Sequence, residues 1–157
     1  MKVSGIAVFD KKIKGYILFK ELKDKIKIEV NLKGLGKNKE HGFHIHEAGN
    51  LLDGCGSCKS HFNPYKKDHG SPKSKERHVG DLGNIISNNK GEANYYFYDD
   101  KISLRPTKKS FIIGRSIVIH KDKDDLGEGN DKESLVSGNA GMRIGCAVIG
   151  FEKGYYF

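Results

Sequence analysis

Residues 23–32 read KDKIKIEVNL, and the alternation in this stretch decides the fold class. Ile26, Ile28, Val30 and Leu32 occupy every second position, with Lys25, Lys27, Glu29 and Asn31 between them. A strand turns successive side chains to opposite faces, so this segment has one aliphatic face to bury and one polar face to wet. Working outward, shorter strand-like runs are expected around residues 3–9, 13–20, 41–47, 82–86, 93–98, 102–104, 112–120 and 143–151. Turn signals such as KGLG, NNKGE and YDDK separate them. No segment sustains a 3.6-residue period, so helix content is expected to be low. Many short strands joined by Gly-rich turns predict an all-β antiparallel sandwich or barrel. At 157 residues the chain is expected to form a single domain over 1–157. Two long polar stretches, 47–81 and 121–142, break the rhythm; loops of that length in a compact domain are usually functional or disordered.

Composition narrows the function classes. No apolar run approaches the length of a membrane span, so no membrane partner is expected. MKVSGIAVFD lacks the unbroken apolar stretch of a secretory leader, which predicts a cytoplasmic protein. The formal net charge of +8 raises the question of a polyanionic partner. The lysines are scattered, however, alternating with apolar residues or sitting in loops, and no nucleic-acid module surrounds them. Dedicated nucleic-acid binding is therefore not expected.

The seven histidines, His41, His44, His46, His61, His69, His78 and His120, all lie beyond residue 40. In GFHIHEAGN, residues 42–50, a strand would set Phe43 and Ile45 on one face and His44 and His46 together on the other, about 6.5 Å apart at Cα. Two imidazoles so placed can share a metal ion, although an isolated H-x-H reads equally as the polar face of a half-buried strand. His61, His69 and His78 fall in the first long loop, with Asp81 three residues further on. Three imidazoles and a carboxylate suit a tetrahedral zinc site. His120 ends the strand-like IGRSIVIH and is available to join His44 and His46. Taken singly each histidine reads as a solvated loop residue; taken together they describe metal binding.

The blocks GFHIHEAGN, HFNP, HGSP, ERHVGDLGN, IIGRSIVIH, DDLG, SGNAGMR and GCAVIG stand in an order and at separations that resemble copper/zinc superoxide dismutase, over essentially residues 3–151. The resemblance implies an eight-stranded Greek-key β-barrel or sandwich with two long functional loops. It implies that His44, His46, His61 and His120 bind a copper ion, and that His61, His69, His78 and Asp81 bind a zinc ion, His61 bridging the two. It implies catalysis of superoxide dismutation, with His61 and Arg143 as catalytic residues and Asp124, in DKDDLG, tying a copper histidine to a zinc histidine. His41 matches a histidine that is not a ligand and is expected to make structural hydrogen bonds.

The same resemblance implies a disulfide between Cys55 and Cys146 and a homodimer formed through residues 48–54, IIGRS and CAVIGF. Cys58 departs from the pattern, because Cys55-Gly-Ser-Cys58 also reads as a C-x-x-C redox or zinc motif. Val136 and Ser137 replace the lysine and threonine that many relatives carry before GNAG, which puts the field of that loop in question. Met142 and Ile144 flank Arg143 without proline, a pattern resembling relatives that mature without a dedicated copper chaperone. A copper-binding or copper-delivering protein on the same fold is the alternative. Such proteins lack copper ligands or the channel arginine, whereas this chain keeps every one. The tail EKGYYF extends beyond the matching blocks, and its aromatics could cover the barrel or thicken an interface.

Overall fold

The computed structural model describes residues 2–153. Eight strands follow in chain order: β1 (Ser4–Asp10), β2 (Lys14–Glu21), β3 (Ile26–Lys33), β4 (Glu40–His46), β5 (Asp81–Ile86), β6 (Glu92–Asp99), β7 (Ser116–His120) and β8 (Arg143–Lys153). Two short helical turns, a 3-10 segment at Gly54–Cys58 and α1 (Ser134–Ser137), lie in the two long loops. The stretch 23–32 behaves as its period demands. Ile26, Ile28, Val30 and Leu32 of β3 are buried, while the intervening lysines, glutamate and asparagine stay at least partly in water.

All pairings are antiparallel, in the order β5-β4-β7-β8-β1-β2-β3-β6. The non-consecutive neighbours β3–β6 and β4–β7 arise where the chain crosses the barrel end, which is Greek-key winding. β8 is inserted between β7 and β1, so the last strand joins the two halves. Inward residues of every strand form one core, with Ile17, Phe19, Ile28, Phe43, Ile45, Ile117, Ile119 and Ile149 all at 0% exposure. Burying each such side chain stabilises by about 1.5–3 kcal/mol, so this interior drives folding.

The run 102–104 is not a strand. Only an isolated bridge pairs Ser103 with Phe111, and Ile102 and Leu104 instead plug the barrel end from a loop. Asp99 Oδ1 accepts hydrogen bonds from the amides of Lys101 and Ile102, which turns the chain before any ladder can extend. The run expected at 112–120 likewise begins only at Ser116, because Gly114, at φ +86°, makes a turn ahead of it.

The first long loop is anchored from below by Arg77. Its guanidinium, 4% exposed with its residue, pairs with Asp99 Oδ2 at 2.6 Å and donates to the carbonyls of Pro72, His78 and Val79. Four of the five guanidinium N–H donors are thereby engaged, and a buried charge is tolerated when it is paired and hydrogen-bonded in this way. The loop is tied at its other end by the Cys55–Cys146 disulfide, 91 residues apart in sequence, which fixes it to β8. Cys58 stays free and buried, so the C-x-x-C reading of that segment is not realised. His41 also acts structurally: its ring nitrogens lie 2.8 Å from Leu35 O and 2.8 Å from His120 O, tying the β3–β4 turn to the end of β7.

Candidate metal centre

Strand geometry brings the histidines together. Phe43 and Ile45 face the core, and His44 and His46 project from the opposite side of β4, beside β7, where His44 stands opposite Val118 and His46 opposite Ser116. His120, the last residue of β7, lies on the same side. An isolated bridge pairs His46 with His61 and draws the long loop back over β4, while Asp81 opens β5 opposite His44. The face that might have been a wet strand surface is dry: His44 and Asp81 are 0% exposed and every other member of the group is buried.

Two four-residue sets result, His44/His46/His61/His120 and His61/His69/His78/Asp81, each with one potential ligand atom per residue within 4.8 Å of the others. His61 belongs to both. The hydrogen bonds decide which nitrogen faces each centre. His44 Nε2 donates to Asp124 Oδ2 at 2.7 Å, His46 Nδ1 to Lys59 O at 2.7 Å, and His120 Nδ1 to Gly141 O at 3.0 Å. That leaves His44 Nδ1 without a partner and sets the lone pairs of His46 Nε2 and His120 Nε2 toward each other at 3.3 Å. In the second set, His61 Nδ1 and His78 Nδ1 approach Asp81 Oδ1 at 2.9 and 3.1 Å. His69 Nδ1 lies 3.0 Å from the same oxygen but out of hydrogen-bonding alignment, and its Nε2 donates to Asp124 Oδ1 at 2.7 Å.

Buried polar atoms without partners cost about 1–3 kcal/mol each, so a fold rarely keeps several in one place. Here His44 Nδ1, His61 Nε2 and His69 Nδ1 are all orphaned, and all point into the two sets. Cations accepting those lone pairs remove the cost. The donor chemistry fits the two ions differently. An all-imidazole set suits copper, and three imidazoles with a carboxylate suit zinc.

Electrostatics in the protein alone agree. Burial, reinforced by neighbouring His61, pushes His44 down to about 3 against the pull of Asp124. Burial likewise lowers His46 and His61, and brings His120 to about 4. Neutral imidazoles are the ligating form. His69 is the exception: burial would lower it, yet contact with both Asp124 and Asp81 raises it to about 9. Asp81, which burial alone would raise, is held far below the usual carboxylate range by His61, His69 and His78. Asp124 is held at about 2 by His44 and His69, again against burial. The second set is thus an anion surrounded by imidazoles, suited to receive a dication.

A cavity of about 360 Å³ opens above the first set, lined by His46, His61 and His120 and, from the second long loop, Glu133, Val136, Ser137 and Asn139. Arg143 completes its wall and donates from Nη1 to Cys55 O at 2.8 Å, so the disulfide segment holds the guanidinium in place. Val136 and Ser137 contribute no charge to the mouth, and Glu133 contributes a negative one.

Several supporting groups could not be read from side-chain identity. Lys59 and Gly141 act through their carbonyls, and Lys59 does so from φ +65°, a conformation unusual for a side-chain-bearing residue. Asn84 clasps Asp124 through both backbone groups, at 2.7 and 3.0 Å. Gly138 sits at φ +69° where a Cβ would fall on Asp124 Oδ1 and His69 Nε2; the SGNAG block was the only sequence signal of it.

Comparison with known proteins places this arrangement. The family model described as Copper/zinc superoxide dismutase (SODC) matches residues 13–149. The Cu-Zn superoxide dismutase of Paramecium bursaria Chlorella virus 1 is 57% identical over 151 residues, spanning 96% of this chain and 80% of its own. The Saccharomyces cerevisiae Cu-Zn superoxide dismutase is 43% identical over 156 residues, covering 96% of this chain and 99% of its own. A crystal structure of the clock protein EA4 superposes with a TM-score of 0.89 at 42% identity, covering 94% of this chain and 93% of that one.

Proposed function

The chain belongs to the copper/zinc superoxide dismutase family, and on that premise we propose that His44, His46, His61 and His120 hold its copper while His61, His69, His78 and Asp81 hold its zinc. The protein is an oxidoreductase that converts superoxide to molecular oxygen and hydrogen peroxide; a binding protein without turnover is not favoured. The observation that carries the ligand assignment is the set of orphaned imidazole nitrogens, each fixed in direction by a hydrogen bond or contact on the far side of its ring.

Copper held by His44, His46, His61 and His120 would supply the one-electron redox chemistry, and zinc held by His61, His69, His78 and Asp81 would supply charge without a redox part. The chain's residues do the rest. Arg143 offers a fixed cation at the cavity wall, where a small anion is attracted and oriented; Cys55 O keeps it there. His61 Nε2, buried without a partner on the cavity side of the ring, is the atom at which this chain would hold a proton for the product peroxide. Asp81 and the surrounding imidazoles steady its Nδ1 side during that exchange. Asp124 orients His44 and His69 together, the carboxylate–histidine support that metal ligands commonly need. His46→Ala should abolish copper-dependent superoxide consumption by protein loaded with both metals while zinc content persists. Full turnover in that variant would refute the assignment.

We also propose a homodimer. Leu51, Leu52, Ile144 and Val148 leave apolar surface exposed on the loop and strand segments expected to pair, and Leu52 is 86% exposed. Val148→Asp should shift sedimentation to the monomer; an unchanged species would place the interface elsewhere. A cytoplasmic location and maturation without a dedicated chaperone complete the proposal. The first is tested by fractionation. The second is tested by activity in chaperone-deficient cells, where an inactive product would refute it.

A further inference from the structure

The strand order starts at β5 and ends at β6, and among the described residues no ladder joins these two edges. The barrel therefore has a seam. Tyr95 and Phe97 stand on the inward face of β6, in register with Val30 and Ile28, which are 3% and 0% exposed. Their own rings are not so covered: Tyr95 is 37% exposed and Phe97 half-buried, because no strand lies over them. The Tyr95 hydroxyl accepts a hydrogen bond from the amide of Ile86 at 3.1 Å, a single side-chain strut across the gap.

Beside this strut lies a groove of about 1000 Å³, larger than the catalytic cavity and sharing no lining residue with it. Its floor is apolar: Leu82, Ile86, Tyr95 and Phe97 from the edge strands, with Pro72 and Leu126 from the two long loops. Its rim carries Lys25, Lys73, Lys75 and Lys101. The carboxylates nearby are already engaged, Asp99 by Arg77 and Asp100 by Lys101 at 3.4 Å. Among the described residues no carboxylate pairs with Lys25, Lys73 or Lys75. Lys25 lies over the Tyr98 ring at 4.1 Å, so one ammonium already marks where apolar floor meets charged rim.

A concave apolar surface with a few convergent charges is the usual form of a small-molecule site. An inorganic anion would leave the aromatic floor unused, and a neutral hydrocarbon would leave the ammonium groups unpaired. We propose that the groove between β5 and β6 binds an amphipathic anion, a carboxylate carrying a medium-length alkyl chain. The chain lies along Leu82, Ile86 and Phe97, and the head group meets Lys73 and Lys75.

The test is calorimetric titration of laurate into the metal-loaded protein, with dodecanol and acetate as comparison probes. The expected result is saturable binding of a single laurate per chain, with both comparison probes weaker by about tenfold or more. Lys73→Glu/Lys75→Glu should weaken laurate by about tenfold, and Ile86→Asp, which puts charge on the floor, by at least as much. All three positions are exposed and lie outside the catalytic cavity, so superoxide consumption in these variants, compared at high ionic strength where long-range steering is screened, should match the parent and certify the fold. Absence of saturable laurate binding, equal affinity for dodecanol, or binding untouched by both variants would each overturn the proposal.

Discussion

Opening the Cys55–Cys146 bond should affect two properties that can be measured apart. The cross-link closes a loop of 91 residues, and in the chain-entropy account such a closure stabilises by about 4.5 kcal/mol at 25 °C. Replacing both cysteines by serine should therefore destabilise the metal-free protein by about 3–4.5 kcal/mol, with measured losses usually below the ideal value. For a chain of this size that corresponds to a fall of about 10–15 °C in melting temperature. Urea unfolding of the metal-free forms, oxidised and double-serine, measures the difference directly. The second effect runs through Cys55 O, which receives the Arg143 guanidinium at 2.8 Å. Without the bond, the Gly54–Cys58 turn is no longer fixed to β8, Arg143 loses its anchor, and superoxide consumption should fall even with both metals in place. A stability loss below about 1 kcal/mol would show that packing alone holds the loop. Full activity in a fully metallated double-serine variant would refute the anchoring argument.

Four further outcomes follow from particular contacts. Gly138→Ala should displace Asp124 from His69 and reduce zinc affinity by about 10–100-fold in competition with a chelator; unchanged affinity would mean the bridge tolerates the shift. Arg77→Ala leaves Asp99 buried without its partner and should cost about 3–5 kcal/mol in urea unfolding, and a cost near zero would contradict the buried pairing. Unfolded histidine titrates near 6.5, whereas burial holds His44 at about 3 and His120 at about 4, so between pH 6.5 and 4 the unfolded chain binds more protons. The metal-free protein should then melt progressively lower as pH falls through that window, a trend a flat profile would exclude; His69, raised to about 9, acts in the opposite sense, its contribution present below 6.5 and lost as pH rises through 9. Superoxide consumption should decline with ionic strength, and Glu133→Gln should raise it at low salt only, since removing an acid that lines the cavity mouth strengthens an attraction that salt screens.

The sequence made strands legible where local sterics and burial agree. KDKIKIEVNL alternates because one face of β3 is core and the other is solvent, and the chain needs no distant information to obey that. The His-x-His pair was legible for the same reason. What stayed hidden depends on partners far along the chain. Ile102 and Leu104 look like strand residues, yet Asp99 turns the backbone and makes them a plug. The carbonyls of Lys59, Gly141 and Cys55 orient two histidines and an arginine, but a carbonyl is common to every residue, and only the folded turn aims it. The seam between β5 and β6 was equally invisible, because strand order is set by which edges remain after the long-range pairings form. Of the tail EKGYYF, residues 154–157 lie outside the described residues.

The position of β8 between β7 and β1 governs how this protein can be made. A ribosome delivers β1 to β7 first, and at that stage they are two curved half-sheets, β1-β2-β3-β6 and β5-β4-β7, each with a bare aliphatic inner face. Among the described residues no strand ladder joins one to the other until residues 143–153 arrive to pair with both. The same strand brings Cys146 to Cys55 and Arg143 to the cavity wall. Nascent chains stalled before residue 143 should therefore remain protease-sensitive and sticky. The last strand brings barrel, cross-link and the cavity-wall arginine together, in a single late step of synthesis.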